Sequence, residues 1–425
     1  MLHSTKLENT DDLSRRTLLR RTAGVLPIAA VASAKSVASS GKTIAVVGAG
    51  AFGGWTALHL LRRGYNVTLL DAWGPGNARS SSAGGESRVI RGSYGVKEIY
   101  THLVARALVL WRDNQAKWNT HLLHETGALF MAPSEDAAQR ASMKALADVG
   151  LPFEHWTGPE AAKRFPQINF SGRDSMVFEK QAGYLTSRRA CETVVENFVK
   201  EGGTYRSLAV KPGALRSGHM QELQLSDGSS LLADQYVFAC GPWLGKLFPE
   251  EIGDRVLPAR QLGLFFGIPR GAENLQEDHC PVWLDAGAYY GIPGNNFRGF
   301  KIVGHTLSDN YDPAHPWDPD NTDRIVPPDR IQAPRDYLAF RFPALRNAPL
   351  VESFVCQYEN SPDENYILDK HPHCDNAWFA GAGSGHGFKA SPAVGEWMAD
   401  LVERKKSTAP IFSLARFSAP KVNPA

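Results

Sequence analysis

The spacing of apolar positions changes several times along the chain, and each change marks an element. Thr43-Ile44-Ala45-Val46-Val47 is the short continuous apolar run of a buried strand, and residues 55–63 then carry apolar side chains at helical spacing. Between them stands Gly48-Ala49-Gly50-Ala51-Phe52-Gly53, and a second predicted strand, 66–70, ends in Asp71. Helical patterns cover 98–119 and 188–201, the second entered through Gly183-Tyr184-Leu185. A strand is predicted over 205–210, followed by a hairpin of 221–225 and 230–233 turning at Asp227-Gly228. Residues 234–241 and 378–383 each read as a strand running into a glycine turn. Residues 381–387 lead into a helix opened by Ser391-Pro392. Two stretches, 125–179 and 258–358, alternate apolar and aromatic residues at strand spacing with little helix signal. The Pro- and Asp-rich stretch 309–328 reads as a surface excursion.

The first strand, turn and helix have the physical form of a dinucleotide site. Gly48 permits the tight turn, Gly50 lets a pyrophosphate approach the backbone, and Gly53 lets the helix pack on the strand. The N–H groups at the helix start face the phosphates, and Asp71 is placed to accept from a ribose hydroxyl. The chain is therefore predicted to be α/β, in the two-domain α+β sense. A Rossmann-like nucleotide domain is assembled from 43–125, 181–257 and 360–410, and a discontinuous antiparallel-sheet substrate domain from 126–180 and 258–359.

Charge alters this picture only at the start. Ser14-Arg15-Arg16-Thr17-Leu18-Leu19-Arg20, an apolar run over 23–32 and a small-residue Ala32-Ser33-Ala34 site make residues 1–42 a predicted twin-arginine export signal and linker. That route carries folded proteins, so the cofactor can be taken up first and the chain then exported to the periplasm or beyond. The 425 residues carry a formal charge of +2, but 1–42 hold seven Lys and Arg against three acids, so the rest is slightly acidic. Neither nucleic acid nor an anionic membrane is an expected partner. The five cysteines are scattered, with neither zinc-site spacing nor the density of a disulfide scaffold, and no metal is expected.

Four signatures together carry a resemblance. They are Val47-Gly48-Ala49-Gly50-Ala51-Phe52-Gly53, Glu86-Ser87-Arg88-Val89-Ile90-Arg91-Gly92-Ser93-Tyr94-Gly95, Cys356-Gln357-Tyr358 followed by Pro362-Asp363-Glu364, and Gly385-His386-Gly387-Phe388-Lys389. In order and spacing the chain after residue 42 resembles the glycine/D-amino acid oxidase flavoproteins, in their monomeric sarcosine oxidase and N-methyltryptophan oxidase branch. The resemblance implies an FAD enzyme, expected to be monomeric. It would oxidise the C–N bond of a secondary amino acid and pass electrons to oxygen, giving an imine and hydrogen peroxide.

The resemblance also assigns roles. Cys356 matches the cysteine that holds the flavin covalently, a task suited to a thiolate. Lys301 matches the lysine that promotes the oxygen reaction, and His305 a histidine facing the substrate; at period two Lys301, Val303 and His305 share a strand face. Arg88 is placed near the flavin ring, while Arg91 and Lys389 form a clamp for the substrate carboxylate. Three residues apart, Arg88 and Arg91 would share one side of a helical turn. Tyr290 and Tyr358 match aromatic positions of the pocket, and Gly385, His386, Gly387 and Phe388 the loop whose following helix points its positive end at the flavin. The chain departs from the branch at Ser82-Ala83-Gly84-Gly85-Glu86, where histidines are expected, so a larger N-alkyl group than that of sarcosine is plausible. Alternatives are a cyclic imino acid or deglycating oxidase, a dehydrogenase using another acceptor, and, from another class, a flavin-binding module without turnover.

Overall fold

The computed structural model describes residues 41–81, 85–295, 298–309, 317–320 and 323–417. All but the last two residues of the predicted export signal and linker lie outside them. The chain opens with β1 (Thr43–Val47), α1 (Ala51–Arg62) and β2 (Asn66–Asp71), the predicted unit. β1 is buried from Ile44 onward because it is central: β2 lies parallel on one side and Gln235–Phe238 parallel on the other. The full six-stranded order is Ile367–Lys370, Ala377–Gly381, Gln235–Phe238, β1, β2, Thr204–Ser207, and only the Ile367–Lys370 edge is antiparallel. The chain leaves β1 toward β2 and later returns on its other flank. The carboxyl end of β1 is thus the switch point at which open α/β sheets bind ligands.

An eight-stranded sheet runs Leu350–Asn360, Leu257–Phe266, Phe300–Asp309, Tyr289–Ile292, Val282–Asp285, Ala128–Ala132, Ser175–Glu179, Phe153–Trp156. Its pairs are antiparallel except Val282–Asp285 with Ala128–Ala132. A small sheet of Arg88–Ile90, Gly183–Leu185 and Leu123–His124 completes the frame around the site.

α2 (Glu98–Lys117) and α5 (Ser187–Lys200) stand where helical periodicity placed them. The small-residue face of the C-terminal helix Ser391–Val402 lies against α1 so closely that a Cβ on Gly395 would come within 2.6 Å of the Trp55 backbone. Three expectations need correction. The stretches read as nearly helix-free contain α3 (Ala137–Asp148), α4 (Gly158–Arg164) and Gln332–Arg341. Their signals are local: Asp136 caps α3 through the Gln139 N–H, and Thr157 with Glu160 forms a capping box on α4. The strand predicted over 205–210 breaks into Thr204–Ser207 and Val210–Pro212. Arg88 lies in a strand, Arg88–Ile90, so the helical-turn argument for Arg88 and Arg91 fails. Among the described residues no helix is long and apolar enough to cross a membrane.

Candidate functional site

A cavity of about 360 Å³ opens at the carboxyl end of β1, lined among others by Gly48, Gly50, Phe52, Asp71, Arg88, Tyr358, Gly385, Gly387 and Phe388. Sequence separations of more than 300 residues close here, which only the sheet order achieves. Gly48 has φ +104°, and a Cβ on it would stand 2.2 Å from the Ala239 carbonyl oxygen. A Cβ on Gly53 would stand 1.9 Å from the Gly48 oxygen, so the third glycine serves the packing of α1 on the turn, as its position in the motif predicts. α1 starts at Gly50 with no side-chain cap, and its first residues line the cavity. The end of the helix that favours anions therefore faces open space. Asp71 accepts from the backbone N–H groups of Ala49, Trp73 and Gly74 at 2.8–2.9 Å, which ties the end of β2 to the turn. Burial raises its pKa against the pull of these donors.

Lys301 is 2% exposed, which excludes a solvated strand face. Its Nζ donates to the carbonyl oxygens of Gly85 (2.8 Å) and Ser87 (2.9 Å) and sits over the rings of Phe354 and Phe265. Burial, then the Arg88 charge, pushes its amine well below the ordinary lysine range. The segment that departs from the branch pattern has a local reason at one position. A side chain at Gly85 would meet the Arg88 guanidinium and the Phe354 ring, both at 2.7 Å. Arg88 is held by the carbonyl oxygens of Ser81 and Ser87. Tyr290 and Tyr358 meet hydroxyl to hydroxyl at 3.2 Å, and burial raises both phenols. Cys356, 2% exposed, lies on the same strand face as Tyr358 by period two and pairs with Gln261 across the sheet. It does not itself line the cavity, but it neighbours Lys301, Tyr290 and Tyr358. His305 belongs to the strand Phe300–Asp309; its side chain lies outside the described ones.

A second cluster joins Arg91 and Lys389 across Tyr94. The Arg91 guanidinium stands over the Tyr94 ring at 4.9 Å and donates to the Ser93 oxygen, while Lys389 Nζ stands over the same ring at 5.4 Å. Lys389 Nζ donates to the Tyr94 hydroxyl (3.0 Å) and to the His386 carbonyl oxygen (2.9 Å). Burial, then Arg91, pushes Lys389 well below the usual range. His386, packed against Tyr94, Tyr100 and Tyr366, is held down to about 3 by burial and Lys389, so its ring is neutral at physiological pH. The buried Glu179 fixes the backbone between Arg91 and Tyr94, accepting from the N–H groups of Gly92 (2.6 Å) and Ser93 (3.0 Å).

Residues that sequence reasoning passed over also shape the site. Trp73 and Trp243 meet at 4.5 Å on the cavity wall, and Trp243 Nε1 donates to Asp320 Oδ1 at 2.5 Å. One described part of the predicted surface excursion, 317–320, is therefore tied to the cavity, with Lys246 bridging Asp318 and Asp320 at 2.6 Å. Glu359 lines the same space. A tryptophan two residues after the Gly241 turn and an acid next to Tyr358 were the available signals. Among the described residues no group of three His, Cys, Asp or Glu could hold a metal.

Residues 43–401 match the model of a family described as FAD dependent oxidoreductase. The chain belongs to this FAD dependent oxidoreductase family. It is 30% identical over 389 residues to monomeric sarcosine oxidase of Bacillus sp. (strain B-0618), covering 88% of this chain and 95% of that one. It is 27% identical to N-methyl-L-tryptophan oxidase of Yersinia pestis (strain Pestoides F), covering 88% of this chain and 98% of that one. L-proline dehydrogenase from P. horikoshii shares the fold at TM-score 0.76 and 18% identity, over 90% of this chain and 98% of that one. Fructosyl peptide oxidase from E. terrenum shares it at TM-score 0.76 and 19% identity, over 88% and 92%. The residues of this FAD dependent oxidoreductase fit the cofactor. The glycine cradle a Cβ would fill and the open start of α1 face one cavity, and it is also lined by Glu359, whose buried Oε2 has no hydrogen-bond partner among the described residues. Gly48, Gly50 and α1 would hold the pyrophosphate, Asp71 the ribose, and Arg88, Tyr358 and the 385–388 loop the ring.

Proposed function

We propose that the chain is an FAD-dependent oxidase of secondary amino acids, oxidising the C–N bond of an N-alkyl substrate with oxygen as acceptor. The observation that carries this reading is the pair Arg91 and Lys389 flanking Tyr94. Two basic side chains converge there; the buried Glu179 bears on Lys389, but its oxygens accept from the Gly92 and Ser93 N–H groups and the Ser93 hydroxyl and pair with neither base. Burying like charges side by side is costly unless an anion completes them, and a guanidinium fork with an ammonium suits a carboxylate. Bound FAD supplies the two-electron acceptor. The chain's own residues do the rest. Arg91 and Lys389 orient the substrate by its carboxylate, and Glu179 and Tyr94 hold those two cations in place. The Tyr290–Tyr358 pair offers hydroxyls beside the cavity, and Arg88 places a fixed positive charge on its wall. Lys301 is assigned to the oxygen reaction and Cys356 to covalent anchoring, which predicts that the denatured protein stays yellow. The twin-arginine segment is assigned to export.

A second reading, a deglycating oxidase, is favoured by one observation. The segment ending at Gly85 carries none of the histidines expected there, and its smaller residues suit a bulkier N-substituent. The experiment that tests both is anaerobic mixing of the purified protein with N-methyl amino acids, cyclic imino acids and sugar-modified amino acids, following flavin absorbance. Rapid bleaching by N-alkyl amino acids, reversed by air, is expected. Bleaching by none of these classes would overturn the carboxylate-clamp reading.

A further inference from the structure

We propose that Glu359 is a cofactor-positioning residue whose buried carboxylate oxygen accepts a hydrogen bond from a hydroxyl of the ribityl chain of bound FAD. Glu359 lines the cavity, yet its Oε2 is shut off from solvent and has no hydrogen-bond partner among the described residues. A buried acceptor of this kind is completed by a ligand group or remains a standing cost to the fold. The turns that follow the parallel strands Gln235–Phe238 and Ala377–Gly381 keep the space around it free of side chains. A Cβ on Gly241 would lie 3.7 Å from Oε2, one on Gly381 3.6 Å from it, and one on Gly383 3.2 Å from Oε1.

The position within the cavity selects the hydroxyl. Glu359 follows Tyr358, whose ring meets Gly385 on the side assigned to the flavin ring. It also bears, together with Asp71, on Cys240, which lies toward the ribose side. Glu359 thus stands between the two ends, opposite the linking part of the cofactor. Among the described residues no Arg or Lys bears on its carboxyl. The groups that face it are the Gly383 and Ala382 N–H dipoles, the Cys240 thiol and, beyond that, Asp71, with Tyr358 on its own strand. An acid in such surroundings repels a pyrophosphate, which α1 already serves, and welcomes a neutral hydroxyl donor. Burial, against the pull of those dipoles, holds this carboxyl up at about 7.

The inference rests on the FAD site and not on the amine chemistry, so the two fail separately. The test uses the full-length holoprotein in a C356S background, where flavin exchanges. Dissociation is followed by recovery of flavin fluorescence for FAD and for analogues each lacking one ribityl hydroxyl. Glu359→Ala is expected to weaken FAD binding at least tenfold, about 1.4 kcal/mol. One deoxy analogue should bind the Glu359 protein correspondingly weakly and lose that disadvantage in Glu359→Ala. Glu359→Gln, which keeps an acceptor oxygen of the same reach, should retain most of the affinity and the discrimination; it is the working variant if the alanine protein does not fold. Equal loss for FAD and every analogue would make the role structural or phosphate-directed and overturn the proposal, as would unchanged FAD affinity in Glu359→Ala.

Discussion

Replacing Lys301 by Met separates the chemistry of this side chain from its architecture. Methionine keeps the length and apolar stem beneath Phe265 and Phe354, but removes the donors that now reach Gly85 O at 2.8 Å and Ser87 O at 2.9 Å. Each carbonyl then loses one of two donors, Gly85 O keeping the Ser87 N–H and Ser87 O keeping Arg88 Nη1, at about 1–2 kcal/mol each. Relief from burying an amine beside Arg88 offsets part of this. A net loss of about 1–3 kcal/mol is expected, visible as a melting point lower by a few degrees. The effect on the oxygen reaction should be larger, about 10²–10³-fold, the scale for loss of one fixed electrostatic group in a dry site. Stopped-flow absorbance gives the two half-reactions apart: anaerobic bleaching by substrate, then reoxidation on mixing with air-saturated buffer. Bleaching within a few-fold of wild type with severely slowed reoxidation is expected. Reoxidation at the wild-type rate would refute the assignment. An equal loss in both half-reactions would show that Lys301 acts by holding the 85–88 segment, and through it Arg88.

Other outcomes follow from the same geometry. In the unsubstituted protein, reoxidation should slow as pH rises through a pKa well below that of an ordinary lysine, since burial depresses Lys301; a profile flat to pH 10 would contradict this. Lys389→Met should raise KM for an amino-acid substrate about 10²-fold, two to three kcal/mol of lost charge-assisted binding, and leave oxidation of an uncarboxylated amine analogue little changed in steady-state assays. Gly48→Ala should abolish flavin retention, read as the ratio of visible to ultraviolet absorbance, because the new Cβ would lie 2.2 Å from the Ala239 oxygen at φ +104°. Without flavin, the Glu359 carboxyl sits at about 7 in the folded chain against an ordinary 4.5. The stability this contributes is full below about pH 4.5 and lost as pH rises through 7, on the order of 3 kcal/mol, and denaturant titrations of Glu359→Gln should lack that slope.

Local pattern determined much of this protein. The apolar run of β1, the glycine spacing, the helix after it and the acid closing β2 each follow from short-range sterics and hydrogen bonding. They could be read from some thirty residues. The start of the C-terminal helix at Ser391-Pro392 was legible for the same reason. α3, α4 and Gln332–Arg341 were not, because short helices between strands compete with an alternating apolar pattern; α3 and α4 win through caps only a few residues long. What tertiary structure alone decided is which side chains meet. The sheet order brings Gly48 beside Ala239, and the Lys301 amine is spent on the carbonyls of a segment more than 200 residues away. Arg91 and Lys389, 298 positions apart in the sequence, meet at one tyrosine ring because Glu179 and the 385–388 loop arrive there from separate parts of the chain. The chemistry of each residue is local, but burial, which sets the charge state of Lys301, Lys389 and Glu359, depends on long-range packing that no window of sequence contains.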